Sequence, residues 1–205
     1  MITLSIAAAG LLGYLLGSIP VGYLVGKAWG VDVRAVGSGR MGGTNVLRAT
    51  DSKLAAAITI VGDALKGVAA VWLVRWLLPG NELAAVLAGA GAVYGHIWPV
   101  FLRFQGGAGG VTAALAQIAL NPWVGVPSLL LGIYVMGFSR YASLGTLTVG
   151  VSGLVLSVLL WWVRPDLVSA VYILFAALAT VAIVITLQPN LRRLRRGEER
   201  RITLW

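Results

Sequence analysis

The sequence contains no cysteine and a single histidine among its 205 residues, and it has only 7 Asp and Glu against 16 Lys and Arg. The absence of cysteine excludes disulfide bonds and thiolate metal sites. One histidine and three methionines leave little for a soft-metal site. Charged residues make up 11% of the chain and hydrophobic residues 59%, and this balance excludes an ordinary soluble domain.

The apolar residues lie in long runs of the kind that form membrane-spanning helices, which need about 20 residues each. The sequence predicts seven such segments, at about 3–26, 54–78, 83–102, 110–120, 122–138, 143–163 and 167–187. The fourth and fifth are short and meet at Asn121-Pro122, so they form two short crossings or a re-entrant pair; we favour two crossings. We therefore expect one all-α membrane domain over residues 1–205, with a basic tail at about 188–205.

The placement of positive charge predicts the orientation, because Lys and Arg accumulate on the cytoplasmic side of a membrane. With the N-terminus outside and the C-terminus inside, most of the 16 Lys and Arg residues fall on the cytoplasmic side. The net charge of +9 is thus explained by topology, and we expect no nucleic-acid partner. The arginine-rich tail is suited to attracting anionic membrane lipid.

Two polar, glycine-rich segments interrupt the apolar runs, at residues 37–48 and 104–110. Glycine lets backbone N–H groups approach an anion closely, and arginine holds phosphate through two parallel hydrogen bonds. The first segment contains Ser38, Thr44, Asn45 and Arg48. It is either a turn-rich loop that binds nothing or a phosphate or carboxylate site; we favour binding, because long polar loops in compact proteins are usually functional.

Three ionisable residues lie within the apolar segments. Asp63 and Lys66 are three residues apart and share a helix face, so they pair either to dock helices or to serve a function, and both alternatives stay open. His96 has no acidic partner nearby in the sequence, because residue 101 is Phe, which excludes a His-x4-Asp catalytic pair. A hydrogen-bonded interior histidine is favoured over a catalytic base.

In their order along the chain, these motifs resemble the PlsY family of bacterial membrane acyl-phosphate:glycerol-3-phosphate acyltransferases. The resemblance covers nearly the whole chain. It rests on Gly17-Ser18-Ile19-Pro20, Gly37-Ser38-Gly39 with Thr44-Asn45 and Arg48, Asp63-x-x-Lys66-Gly67, Gly95-His96, Ser139-Arg140-Tyr141 with Ser143, and Asn190-Leu191 with Gly197 and Glu199.

The resemblance implies a seven-helix protein of the bacterial inner membrane, with its active site on the cytoplasmic side. It implies transfer of a fatty acyl group from acyl phosphate to the 1-hydroxyl of glycerol 3-phosphate, giving lysophosphatidic acid and phosphate for phospholipid synthesis. The expected partners are these two substrates and membrane lipids, with the chain acting as a monomer. No cofactor and no metal are expected.

The resemblance also implies roles for residues at matching positions. Arg48 and Arg140 would hold phosphate, Ser38 and Ser139 would donate hydrogen bonds, and His96 would polarise or position a group. A phosphate oxygen of the donor would accept the hydroxyl proton. The implied substrate-binding residues, among which Asn190 and Glu199 would orient the glycerol hydroxyls, are Arg40, Thr44, Asn45, Gly106, Gly107, Gly109, Ser143, Asn190 and Glu199.

The chain departs from the family's second motif, in which two lysines usually flank a pair of glycines. Gln105 and Ala108 replace them, and Arg40 stands where the family usually has Asn. Lost charge weakens phosphate binding unless Arg40 or Arg103 compensates. An active enzyme is the favoured hypothesis; the alternatives are a noncatalytic relative that binds a phosphorylated ligand, and a small transporter suggested by Asp63, Lys66 and the short paired segments.

Overall fold

The computed structural model describes residues 2–202, and within that range the chain is helical with no β-strand. Its α-helices are α1 (Ile2–Gly17), α2 (Val21–Ala28), α3 (Gly43–Thr50), α4 (Lys53–Leu77), α5 (Glu82–Ile97), α6 (Gly110–Leu120), α7 (Pro122–Ser139), α8 (Ala142–Val163) and α9 (Ala170–Arg195). Short 3-10 turns occupy Val33–Ala35 and Val100–Leu102. The predicted all-α fold is confirmed.

The first apolar segment is two helices rather than the continuous one predicted. Pro20 has no N–H and ends the α1 hydrogen-bond pattern, and Ser18 Oγ donates to the Tyr14 carbonyl at 2.8 Å. At the break, the carbonyl of Ile19 accepts hydrogen bonds from the Val21 N–H at 3.0 Å and from Lys66 Nζ of α4 at 3.1 Å. A charged side chain thus satisfies the backbone where the helix is interrupted.

Six helical segments of the described chain are long and apolar enough to cross a membrane: Ser5–Ala28, Lys53–Leu77, Glu82–Leu102, Pro122–Ser139, Ala142–Val163 and Ala170–Arg195. The predicted fifth segment is α7, which is long enough by itself. The predicted fourth is α6, whose 11 residues extend about 16 Å at 1.5 Å per residue, about half the hydrocarbon thickness. Seven crossings and the N-out orientation therefore stay predictions.

Helix packing relies on small residues that let backbones approach closely, as is common in membrane bundles. A Cβ atom at Gly13 or Gly17 of α1 would overlap backbone atoms of Ala88 or Ala92 of α5. Phe175 of α9 is fully buried and belongs to the main core, which joins α4, α5, α6 and α9. These four helices supply part of the lining of the cavity described next.

Helix α9 continues to Arg195, beyond the predicted end of its apolar segment, even though Pro189 lies inside it. The chain then turns at Gly197, whose φ of +72° favours glycine. The following residues fold back over the bundle, where Ile202 is buried and its N–H donates to the Arg140 carbonyl at 2.7 Å. The predicted basic tail is thus partly helix and partly a strap against the end of α7.

Candidate active site

A cavity of about 200 Å³ lies where the loop before α3, the start of α6 and the C-terminal strap meet. Its lining draws on most helices from α3 to α9. Predicted site residues that line it are Ser38, Arg40, Thr44, Asn45, Arg48, His96, Gly109, Ser143, Asn190 and Glu199. The topology therefore gathers residues that are far apart in the chain.

The Asn45 side chain organises the first glycine-rich segment. Its Oδ1 accepts hydrogen bonds from the Ser38 backbone N–H at 3.0 Å and from Arg48 Nη1 at 3.3 Å. Its Nδ2 donates to the carbonyls of Val33, Val36 and Arg40. The amide that we predicted as a substrate ligand is thus engaged with the loop, and it holds Ser38 and Arg48 at the cavity.

Ser38 and Arg48 keep hydrogen-bonding capacity toward the cavity. The Ser38 hydroxyl accepts one long contact, 3.4 Å from the Arg40 N–H, which leaves its own O–H to donate. Arg48 is exposed and makes a single side-chain hydrogen bond within residues 2–202, although a guanidinium has five N–H donors. Both side chains are suited to an anionic group in the cavity.

Arg40 reaches from the first loop to α9. Its guanidinium donates to the carbonyl of Thr186, close to Pro189 inside the helix. Burial and the neighbouring Arg193 lower the pKa of Arg40, while Glu199 opposes the change. Arg40 thus places a positive charge in the cavity beside α9.

The second glycine-rich segment packs tightly on the end of α5. The Gly107 N–H donates to the His96 carbonyl at 3.0 Å, and a Cβ at this position would overlap the His96 ring. A Cβ at Gly106 would overlap the carbonyls of His96 and Ile97. Close packing explains both glycines, which do not line the cavity, whereas Gly109 does. The substrate-binding roles predicted for Gly106 and Gly107 stay predictions.

The two replaced lysines belong to different surfaces. Ala108 lines the cavity. Gln105 lines a separate depression with Arg34, Phe101, Leu102 and Arg103. Only the change at Ala108 therefore removes charge from the cavity, and Arg103, which also lies in the depression, is not placed to compensate for it.

Asp63, Lys66 and His96 form a buried cluster beside the cavity. All three are less than 8% exposed. Lys66 Nζ lies 2.9 Å from Asp63 Oδ1, as the spacing on α4 predicted, and His96 Nδ1 lies 3.4 Å from the same oxygen. His96 has no acidic partner nearby in the sequence, but it has one in the structure, because the packing of α4 on α5 brings Asp63 to it. Because ionisable residues in apolar helices usually pair with one another, the position of His96 was itself a sign that such a partner exists.

Glu199 of the strap joins α8 and α9 at the cavity wall. Its Oε1 accepts hydrogen bonds from Asn190 Nδ2 at 2.6 Å and from Ser143 Oγ at 3.1 Å. Its Oε2 accepts from Arg193 Nε at 2.9 Å. Asn190 Oδ1 is buried with no hydrogen-bond partner in the described part of the chain. Since an unpaired buried polar atom is costly, this oxygen is available to a donor from a bound molecule.

Ser139 and Arg140 adjoin the cavity but do not line it. The Ser139 hydroxyl donates to the Val135 carbonyl at 2.6 Å and accepts from the Tyr141 N–H at 3.2 Å. Arg140 is exposed and has a left-handed φ of 61°, which ends α7. Both residues form the turn between α7 and α8, and the catalytic roles predicted for them stay predictions.

Comparison with known proteins gives consistent matches over nearly the whole chain. The family model described as glycerol-3-phosphate acyltransferase matches residues 7–197. The glycerol-3-phosphate acyltransferase of Rubrobacter xylanophilus is 47% identical over 191 residues, covering 93% of this chain and 92% of the relative. That of Bordetella pertussis is 40% identical over 205 residues, covering 97% of this chain and 93% of the relative.

The solved structures that match are of an integral membrane protein. The crystal structure of PlsY, an integral membrane glycerol 3-phosphate acyltransferase, in its glycerol 3-phosphate form has a TM-score of 0.84 and 31% identity, covering 96% of this chain and 95% of that chain. Its lysophosphatidic acid form has a TM-score of 0.82 and 30% identity, with the same coverage. Together with the apolar helices, this similarity identifies a multi-pass membrane protein.

Proposed function

This chain belongs to the glycerol-3-phosphate acyltransferase family, as its ordered motifs predicted, and on that premise we propose that it acylates glycerol 3-phosphate. The acyl donor is an acyl phosphate, the acceptor is the 1-hydroxyl of glycerol 3-phosphate, and the products are lysophosphatidic acid and inorganic phosphate. The reaction takes place at the cytoplasmic face of the inner membrane and supplies phospholipid synthesis.

The observation that carries this proposal is the convergence of cationic and hydrogen-bonding side chains on one cavity. Arg40 and Arg48 supply positive charge for phosphate, and Ser38 supplies a hydroxyl donor. Asn190 and Glu199 also line the cavity and are suited to glycerol hydroxyls, because they offer oxygen acceptors. The cavity therefore offers groups suited to the phosphate and groups suited to the hydroxyls of glycerol 3-phosphate.

The cavity also has apolar walls, which suit a donor that arrives from the membrane. Ile60 of α4 lines the cavity and is 45% exposed on the surface of the bundle, and Met136 of α7 lines it as well. A fatty acyl chain that stays in the bilayer can extend past these residues while its phosphate reaches the arginines.

An acyl phosphate is a mixed anhydride with a good leaving group, so no covalent enzyme intermediate is needed. The hydroxyl oxygen of glycerol 3-phosphate attacks the acyl carbon while its proton passes to a phosphate oxygen of the donor, and the bond between the acyl carbon and the phosphate oxygen breaks, releasing inorganic phosphate. Holding both phosphates in the cavity makes this attack effectively intramolecular. Donors aimed at the developing oxyanion lower the barrier further.

The test is phosphate release by the purified protein in lipid, given palmitoyl phosphate with and without glycerol 3-phosphate. We expect release that depends on the acceptor, with lysophosphatidic acid formed in equal amount. A folded protein that releases no phosphate while a PlsY control is active would refute the proposal. Binding of glycerol 3-phosphate without turnover would then indicate a noncatalytic relative, and flux into sealed vesicles without product would indicate a transporter.

A further inference from the structure

The turn between α5 and α6 lies where an apolar span ends. The span Glu82–Leu102 is followed directly by Arg103, and Phe101 and Phe104 on either side of this arginine are 59% and 58% exposed. At the boundary of a membrane, apolar side chains contact the lipid chains, whereas arginine extends its charged end toward the head groups. The turn is therefore at the level of the phospholipid head groups.

The backbone of this turn is held in a conformation that residues other than glycine rarely adopt. Arg103 and Phe104 are consecutive, and both have a left-handed φ, of 51° and 64°. The N–H groups of Leu102 and Phe104 donate to the Pro99 carbonyl at 3.2 Å and 2.9 Å, and Leu102 packs inward against the core cluster that contains Val33. The surrounding structure thus maintains a strained turn that keeps Arg103 and Phe104 exposed, and such strain is concentrated at functional sites.

The depression beside this turn carries an excess of positive charge. Arg34 donates to both carboxylate oxygens of Asp32, from Nε at 3.0 Å and from Nη2 at 2.8 Å, so three of its five N–H groups remain for another acceptor. The side chain of Arg103 makes no hydrogen bond or ion pair within residues 2–202. The depression therefore holds two guanidinium groups with donors to spare, and only one of them is neutralised by a carboxylate.

We propose that this depression binds the head group of an anionic phospholipid. The phosphate oxygens accept hydrogen bonds from Arg103 and Arg34, a pairing that suits guanidinium geometry, and the acyl chains extend past Phe101 and Phe104 into the bilayer. The positive charge favours an anionic lipid over a zwitterionic one, whose head group would bring a second cation to the arginines. The two exposed rings favour a lipid over a free phosphate ion, which has no apolar part.

This lipid site is separate from the features described above. It shares no lining residue with the cavity, and it lies outside the arginine-rich tail. It does not depend on the proposed acyl transfer, and it is tested by a binding measurement that requires no turnover.

The absence of cysteine from the chain allows a single fluorescent label to be placed beside the depression. Val100 is 42% exposed and does not line the depression, so Val100→Cys labelled with bimane reports on lipid there. The full-length protein is placed in phosphatidylcholine nanodiscs that contain either phosphatidylglycerol or phosphatidylcholine with a nitroxide near the head group. At equal mole fraction, we expect quenching to show a preference of about fivefold for phosphatidylglycerol, because one basic residue near an anionic surface contributes about that factor. Equal quenching by the two lipids would overturn the proposal.

Two substitutions in the labelled protein should change the preference in opposite directions. Arg103→Gln should remove most of it, whereas Gln105→Lys should increase it about fivefold without changing KM for glycerol 3-phosphate. The controls are Arg164→Gln, which removes an exposed arginine paired with Asp166 in the loop before α9, and Ala108→Lys, which adds its charge to the cavity. Effects of the controls as large as those of the two site variants would overturn the proposal, because they would show a general response to net charge.

Inorganic phosphate distinguishes a lipid site from a site for a free anion. Added to the labelled protein without further substitution, it should relieve quenching by phosphatidylglycerol no more than sodium chloride of the same ionic strength, which screens the charges equally. Greater relief by phosphate would overturn the proposal and assign the depression to a free anion. Because the label replaces a residue outside the depression, this comparison and the lipid preference decide the question even where the site variants do not fold.

Discussion

Ala108→Lys is expected to strengthen binding of glycerol 3-phosphate, whereas Gln105→Lys is not. Both substitutions add one positive charge to the same short segment, so they are matched in chemistry. They differ in position, because Ala108 lines the cavity and Gln105 lines the depression that contains Arg34 and Arg103. The comparison therefore asks whether the cavity is the phosphate site.

The magnitude follows from the charges already present. A hydrogen bond to a charged group contributes about 1.5–3 kcal/mol, which corresponds to about 10–150-fold in affinity. Arg40, Arg48 and Arg200 already line the cavity, against Asp63 and Glu199, so repulsion between cations reduces the gain. We expect Ala108→Lys to lower KM for glycerol 3-phosphate by about tenfold, near the lower limit of that range.

Arg40→Asn, alone and combined with Ala108→Lys, completes a double-mutant cycle with the wild type. It removes a cavity cation and its bond to the Thr186 carbonyl, so KM should rise by about tenfold or more. Ala108→Lys should then restore more in this background than in the wild type, because two cations that serve one phosphate are not additive.

The assay is steady-state formation of lysophosphatidic acid at saturating palmitoyl phosphate, with glycerol 3-phosphate varied for all four variants. Equal gains from Gln105→Lys and Ala108→Lys would refute the assignment of the cavity. So would additive effects of Arg40→Asn and Ala108→Lys, because they would show that the two side chains act on different groups.

Three further results are expected. Gly107→Ala should lower kcat/KM by about 10²-fold, because the added methyl displaces the His96 ring. Gly137→Ala is the control, since Gly137 has open space around it. Equal kinetics of the two variants would contradict the packing argument. Lys66→Met should lower the free energy of unfolding by about 3–5 kcal/mol, because it leaves Asp63 buried without its ammonium partner; an unchanged thermal melt in detergent would refute this. Activity should persist in excess chelator, and a marked loss would show a metal requirement.

Much of the fold follows from local patterns in the sequence. The length of the apolar runs predicts the long helices, because a segment that crosses lipid must form its backbone hydrogen bonds within itself. The interruption of the first segment at Ser18 and Pro20 was not predicted, because the span remains apolar on both sides. At that break, the Ile19 carbonyl accepts a hydrogen bond from Lys66, which belongs to another helix.

The candidate site, too, can be predicted from the sequence only in part. Residue types such as Arg48, Ser38 and the glycines indicate phosphate chemistry from the sequence, because Arg and Ser side chains donate hydrogen bonds and glycine lets its backbone N–H approach an anion. Which of them share a cavity is a matter of packing. Gln105 and Ala108 are three residues apart, yet they line different surfaces, because the chain between them crosses the end of α5.

The sequence by itself determined an all-helical membrane protein, its family and ten of the residues that line its cavity, because hydropathy and motif order are local properties of the chain. Only the tertiary structure decided that Asp63 faces His96 and that Glu199 closes the cavity from the C-terminal strap. Those contacts join helices that are distant in sequence. Their geometry is set by the close packing of small residues between helices, and no local pattern encodes it.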